Sequence, residues 1–153
     1  MRVIPAIDLL QGHAVRLAQG DRSRATRYEA SPVQMVDRFA DAGVQLVHVV
    51  DLDGAFGEPL QRPLLAEIVA RAHARGVQIE LGGGLRDADA VERALATGAD
   101  FAVIGTLAVR EPETAQALCR AYPGRVIVAI DAREGWVAID GWQETSRDRK
   151  STR

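Results

Sequence analysis

Cysteine is almost absent from the chain: Cys119 is the single one in 153 residues. An internal disulfide is thereby excluded, and no His or Cys lies near it at metal-ligand spacing. Such a free cysteine reads as a small core residue rather than a nucleophile. Long hydrophobic runs are lacking too. Nothing approaches the ~20 apolar residues of a membrane span, and the opening MRVIPAIDLL has neither the apolar core nor the small-residue cleavage site of a signal peptide. A cytoplasmic protein without membrane contact is expected. Charge of one sign is scarce as well: the formal net charge is −2, with no long block of either sign. Nothing therefore points to nucleic acid, and binding of a charged ligand has to be local. Also missing are a P-loop, a G-x-G-x-x-G loop, a Ser or Cys nucleophile beside a base, and any His/Cys/carboxylate cluster at metal spacing, so no metal site is expected.

What remains is an ordinary globular balance, 47% apolar and 26% charged. Short Val- and Ile-rich runs alternate with longer segments of helical period, the pattern of repeated βα units around a parallel sheet. The runs are Val3 to Ile7, Leu46 to Val50, Val77 to Leu81, Phe101 to Ile104 and Val126 to Ile130. They read as strands buried on both faces. Four helices are punctuated between them. Ser31-Pro32 opens the first, which runs to Ala42 before Gly43. The second covers Gln61 to Ala74, the third is capped by Asp87 and closed by Gly98, and the fourth starts at Glu111-Pro112 with Ala115, Leu118 and Cys119 on its apolar side.

The chain also repeats itself. At an offset of 123 residues, VIPAIDLLQGHAVR from Val3 matches VIVAIDAREGWVAI from Val126 at six of fourteen positions, pairing Asp8 with Asp131 and Gly12 with Gly135. A strand ending in Ile-Asp, a turn with Gly and a small hairpin are used twice. Four βα units separate the copies, so the fifth strand begins a second half. The whole then approaches the size of an eight-unit barrel, roughly 250 residues. The expected fold is an α/β (β/α)8 barrel truncated after the fifth strand, occupying residues 1–147. The last six residues, Asp148 to Arg153, fit nothing around them and correspond to what a common sequencing adapter would encode. Residues 148–153 are accordingly expected to be a non-native tail.

In a parallel barrel the chemistry sits at the C-terminal strand ends. Residues there include Asp8, Asp51, Asp53, Gly82, Gly83, Gly84, Gly105, Thr106 and Asp131. A strand-end Asp is often only a turn former. The repeat makes Asp8 and Asp131 a pair, on strands that face each other across an eight-stranded barrel, suited to removing one proton and delivering another. Gly82 to Gly84 lets backbone N–H groups approach an anion, and Gly105-Thr106 adds donors at a helix start, so the two loops together suggest a phosphate site. Glycine is equally the default of tight turns. His48 reads as either a core histidine or a ligand contact, and His13 and His73 as surface residues. Arg16 and Arg86 can meet phosphate or carboxamide oxygens or form ordinary salt bridges. Trp142 offers a flat face for a ring, or a lid over the barrel.

These motifs, VIPAIDLLQGHAVRLAQGD, LVHVVDLDGA, IELGGGLRD, VIGT and VAIDAREGWVAIDGWQE, closely resemble the phosphoribosylformimino-AICAR-phosphate isomerases of histidine biosynthesis, in order from Arg2 to about Arg147. The resemblance implies an aldose–ketose isomerase that carries out an Amadori rearrangement on a small bisphosphate ribonucleotide. It assigns Asp8 as general base at C2′ and Asp131 as general acid at the ring oxygen. Gly82 to Gly84, Gly105 and Thr106 would hold one phosphate, and Trp142 would pack on substrate. No metal or organic cofactor is implied. The family's second phosphate site lies on loops after strands seven and eight, which this chain does not contain. The chain alone is therefore expected to be inactive and to self-associate through open strand edges, while its complete parent is an active monomer. Two other readings stay open. One is the cyclase subunit of imidazole-glycerol-phosphate synthase, which typically has Cys-Leu-Asp where this chain has Ala6-Ile7-Asp8; a dual-substrate isomerase that also serves tryptophan synthesis is a related case. The other is a non-catalytic phosphate-binding half-barrel.

Overall fold

A computed structural model describes residues 3–18, 20–58 and 62–130, together with the backbone of three later strands. Strand β1 (Ala6–Leu10) leads into an antiparallel hairpin of β2 (His13–Ala18) and β3 (Asp21–Arg27). Then follow α1 (Pro32–Asp41), β4 (Leu46–Asp51), the one-turn α2 (Leu52–Ala55), α3 (Arg62–Ala74), β5 (Gln78–Gly82) and α4 (Ala88–Leu95). The series ends with β6 (Phe101–Ile104), the short α5 (Thr106–Arg110), α6 (Pro112–Ala121) and β7 (Val126–Val128). β8 (Ala132–Arg133), β9 (Trp136–Ile139) and β10 (Glu144–Arg149) form a separate antiparallel sheet in the order β10-β9-β8.

The main sheet has the order β3-β2-β1-β4-β5-β6-β7. From β1 onward every pairing is parallel. Five parallel strands adjacent in chain order, joined by helices, are the first five strands of a (β/α)8 barrel, here a partial one.

The helix starts are where their side chains put them. Ser31 Oγ accepts the Gln34 N–H while the Gln34 side chain accepts the Ser31 N–H, a reciprocal cap with Pro32 at the first helical position. Asp87 accepts the Ala90 N–H at 2.6 Å and starts α4. Gly43 and Gly98 follow α1 and α4 at φ +79° and +96°, where a side chain would be strained.

Two expectations are corrected. The first strand is Ala6–Leu10 rather than Val3 to Ile7, so Asp8 lies in its middle, because the hairpin pairs Asp8, Leu9 and Leu10 with Val15, Ala14 and His13 and carries the strand past the aspartate. Nor are the strands buried on both faces. Ile7, Leu9, Val47, Val49, Ile79, Leu81, Ala102 and Ile104 are buried in the core shared with the helices. The alternate residues, among them Asp8, His48, Val50, Glu80, Phe101 and Val103, are half-buried, because nothing among the described residues closes the inner face. Openness shows elsewhere too. The most exposed large apolar residues include Val3 (73%) and Ile4, just before β1, and Val128 and Ile130 (61%), at and just after the edge strand β7.

Cys119 is also corrected. It is exposed, although Ala115 and Leu118 are buried. One residue beyond Leu118 the side chain has turned about 100° around the helix. There it lines a shallow concavity of about 340 Å³ with Pro112, Gln116 and Val128, at the end of the helical layer.

Candidate active site

Asp8 stands on the inner face of β1. Its register partner on β4 is Val50, while His48, two residues earlier, pairs with Ala6 on one side and with Glu80 of β5 on the other. Partners in register share a face, so Asp8, His48 and Glu80 lie on one surface across three adjacent strands. Burial raises the Asp8 pKa above 3.8, and the nearby His48 charge acts in the opposite direction. A carboxylate held less acidic than in water is a better proton acceptor, which suits a general base.

His48 Nδ1 is buried and lies 2.9 Å from Glu80 Oε1. The pair stands at ion-pair distance without the alignment of a linear hydrogen bond. Glu80 was not among the residues singled out from the sequence. A charged residue inside the otherwise apolar run IELG, with Ile79 and Leu81 turned to the core, was the available signal.

The loop after Asp8 is held from β4. Gln11 and Gly12 both have positive φ, +50° and +79°, in a two-residue hairpin turn of the type that suits twisted strands. A non-glycine residue seldom takes this conformation. The Gln11 N–H donates to Asp53 Oδ2 at 2.8 Å, and Asp53 is buried within α2. Asp51, also buried, caps α2 by accepting the Gly54 N–H. Arg22 of β3 reaches over this turn to Glu58 at 2.7 Å, with its guanidinium 5.2 Å from the Phe56 ring.

The glycine loop meets α2 from the other side. Gly83 and Gly84 have φ +99° and +71°. A Cβ on Gly83 would lie 2.8 Å from Asp51 N, and one on Gly84 would overlap the Gly54 carbonyl. Arg86 donates to the carbonyl oxygens of Gly54 and Ala55. Two of the three glycines and the arginine thus join β5 to α2 through backbone contact. Gly82 differs: a Cβ there would meet Val103 and His48 Cε1 at ordinary distances of 3.5 and 3.6 Å. Gly105 directly precedes α5 and stands beside Ala129 O, while Thr106 is the first residue of that helix.

Arg16 is exposed on β2. Alternation places it on the face opposite Val15, and hence opposite Asp8. His13 and His73 are exposed, as expected, although His73 Nε2 is 3.0 Å from Asp100 Oδ2. Asp131 and Trp142 lie outside the described residues. Among those described, no group of three or more His, Cys, Asp or Glu side chains is placed to hold a metal ion, and no helix is long and apolar enough to cross a membrane.

Known proteins with this sequence pattern are consistent with one another. Over 146 residues, 95% of this chain, it is 47% identical to the 1-(5-phosphoribosyl)-5-((5-phosphoribosylamino)methylideneamino)imidazole-4-carboxamide isomerase of Trichormus variabilis. Proteins of the same name match at 48% identity over 145 residues in Thermomicrobium roseum and at 47% over 147 residues in a Bradyrhizobium species. The matched region is 56% of the first relative's length and 59% of each of the other two, so the chain spans a little over half of these relatives. A family model described as "Histidine biosynthesis protein" matches residues 2–150, and the chain belongs to that family.

Proposed function

We propose that this chain is the N-terminal part of an aldose–ketose isomerase in histidine biosynthesis and carries its acid–base pair, working in the cytoplasm on a small bisphosphate ribonucleotide. The observation that carries this reading is Asp8, half-buried beside His48 on the open inner face of a parallel sheet, in a chain close in sequence to proteins named as such isomerases.

The chemistry follows from two carboxyl groups with different tasks. Asp131, as the acid, protonates the ring oxygen of the aminoaldose as its bond to C1′ breaks. Asp8, as the base, takes the proton from C2′, and the resulting enolamine takes up a proton at C1′ and gives up the one on its C2′ hydroxyl to become the aminoketose. Backbone donors of the loops at Gly82 to Gly84 and at Gly105-Thr106 take one phosphate. Trp142 packs on the substrate. Arg86 acts on this site by fixing the glycine loop to α2, in keeping with its contacts to Gly54 and Ala55. No cofactor takes part.

A second reading applies to the chain by itself. Exposed apolar residues stand just before β1, where Val3 and Ile4 precede the part of the strand that the hairpin covers, and at the β7 edge, where Val128 and Ile130 lie. Free strand edges of this kind associate. As a 153-residue molecule the chain is an inactive, self-associating half-barrel, and the activity belongs to a barrel of its relatives' full length, of which the chain spans a little over half.

The test is complementation of a histidine-requiring strain. The chain alone should fail, and a gene that continues it through three more βα units should succeed. Asp8→Asn or Asp131→Asn in that gene should reduce turnover by about 10²–10⁴-fold. Turnover that survives both substitutions sinks the assignment of the pair.

A further inference from the structure

We propose that Glu80 is a positioning residue that holds the His48 imidazole in its Nδ1-protonated tautomer, leaving Nε2 as the ring's acceptor on the face it shares with Asp8. This rests on the reading of Asp8 as the base and names a residue which that reading does not use.

The argument starts from a carboxylate in an awkward place. Glu80 lies between two core residues, Ile79 and Leu81, and its side chain is 14% exposed. Removing a carboxylate from water is costly unless a partner compensates. Its partner is His48 Nδ1, 2.9 Å from Oε1. That nitrogen is itself buried and has no hydrogen-bond partner among the described residues. A neutral imidazole carries one N–H and one lone pair, and the group facing each nitrogen decides which is which. A bare Nδ1 would set two electron-rich, unprotonated atoms at contact distance. A protonated Nδ1 turns the same contact into attraction, even off the ideal angle. The proton therefore belongs on Nδ1. Nε2 accepts while the ring is neutral and takes the second proton when the ring becomes cationic.

Gly82 lies alongside the ring: a Cβ there would meet His48 Cε1 at an ordinary 3.6 Å. The strand registers supply the remainder of the arrangement, setting His48 directly between Ala6 and Glu80. The titratable groups that face the ring from the neighbouring strands are Asp8 on β1 and Glu80 on β5.

Long-range proton–nitrogen NMR of the 153-residue chain labelled at histidine nitrogen reads the tautomer directly, at about pH 8, above the ordinary imidazole range. His48→Asn identifies the signals. In the unsubstituted chain Nδ1 should resonate as a protonated nitrogen and Nε2 as a bare one. Glu80→Gln keeps an acceptor oxygen and should preserve the pattern. Glu80→Leu removes it and should return the ring to the Nε2-protonated form that free histidine prefers. A bare Nδ1 in the unsubstituted chain overturns the proposal whether or not any variant folds, and so does an unchanged pattern in a folded Glu80→Leu. The measurement uses no substrate. Failed complementation with the tautomer intact counts against the isomerase alone, whereas a bare Nδ1 with complementation intact counts against Glu80 alone.

Discussion

A Cβ on Gly84 would occupy the space of the Gly54 carbonyl oxygen, so the loop after β5 and the turn after β4 meet backbone to backbone. Gly83 meets Asp51 in the same way, and both glycines have positive φ. Gly83→Ala and Gly84→Ala should each cost about 3 kcal/mol or more, from overlap and an unfavourable φ together. Gly82→Ala, with only ordinary contacts awaiting its methyl, should cost about 1 kcal/mol or less. Urea unfolding of the three variants compares them. Equal losses would show that the close approach does not govern this loop.

Asp53→Ala should loosen the turn at Gln11. The substitution removes the acceptor of the Gln11 N–H and leaves a positive-φ residue without its tether. A loss of roughly 1–3 kcal/mol is expected from one such contact to a charged group. Hydrogen exchange at the Gln11 amide should rise with it. Protection unchanged from the parent chain would contradict this role.

Asp8 carries a pH signature of opposite sign from most carboxylates. Burial raises its pKa in the folded chain above 3.8. The folded state therefore holds the proton more tightly than the unfolded one. Its contribution is fully present below the unfolded pKa and is lost as pH rises through the folded value. Asp8→Asn should thus match the parent in stability under acid conditions and exceed it near neutrality. His48→Asn should push the Asp8 pKa higher still, since the His48 charge now lowers it. Carbon-13 titration of the Asp8 carboxyl decides the second point; a midpoint that stays or falls refutes it.

Asp100 should behave in the ordinary sense, at the other end of the strands. Burial acts to raise its pKa but is outweighed by His73 and the Ile79 N–H, and the net shift is downward from 3.8. Its stabilising effect is present above the unfolded pKa and disappears as pH falls through the folded one. Asp100→Ala should cost roughly 1–3 kcal/mol near neutral pH, chiefly through the buried Ile79 amide. The difference from the parent should shrink on acidification. A gap that is constant with pH would rule out the ionised carboxylate as its source.

Ile4→Lys combined with Ile130→Lys should reduce self-association without loss of the core, because both residues are exposed. Sedimentation velocity across a range of concentrations measures it. Unchanged association would place the contact elsewhere.

Much of this architecture can be read from local signals. Ser31-Pro32, Asp87, Gly43 and Glu111-Pro112 each mark a helix boundary that the structure reproduces to within a residue or two. Those signals act within a single turn of chain, which is why they are legible. The helices α2 and α5, of four and five residues, are too short to show a period. The extension of β1 to Leu10 depends on a hairpin partner, and the exposure of Cys119 on where the helical layer stops. The same limit applies to the site. Asp8 and His48 stood out because of residue type and position, while Glu80, Asp53 and the contact of Gly84 with Gly54 exist only once distant segments meet.

The strand order has a consequence for how the chain comes together. β1, β4, β5, β6 and β7 add in the order of their synthesis, each beside the strand made before it. The β2–β3 hairpin occupies the outer side of β1 from Asp8 to Leu10, so much of that edge is covered early. Growth then runs one way. A nascent chain leaving the ribosome can dock each βα unit onto a finished neighbour without waiting for distant sequence, and the three-residue β7 is the last strand to join this sheet among the described residues.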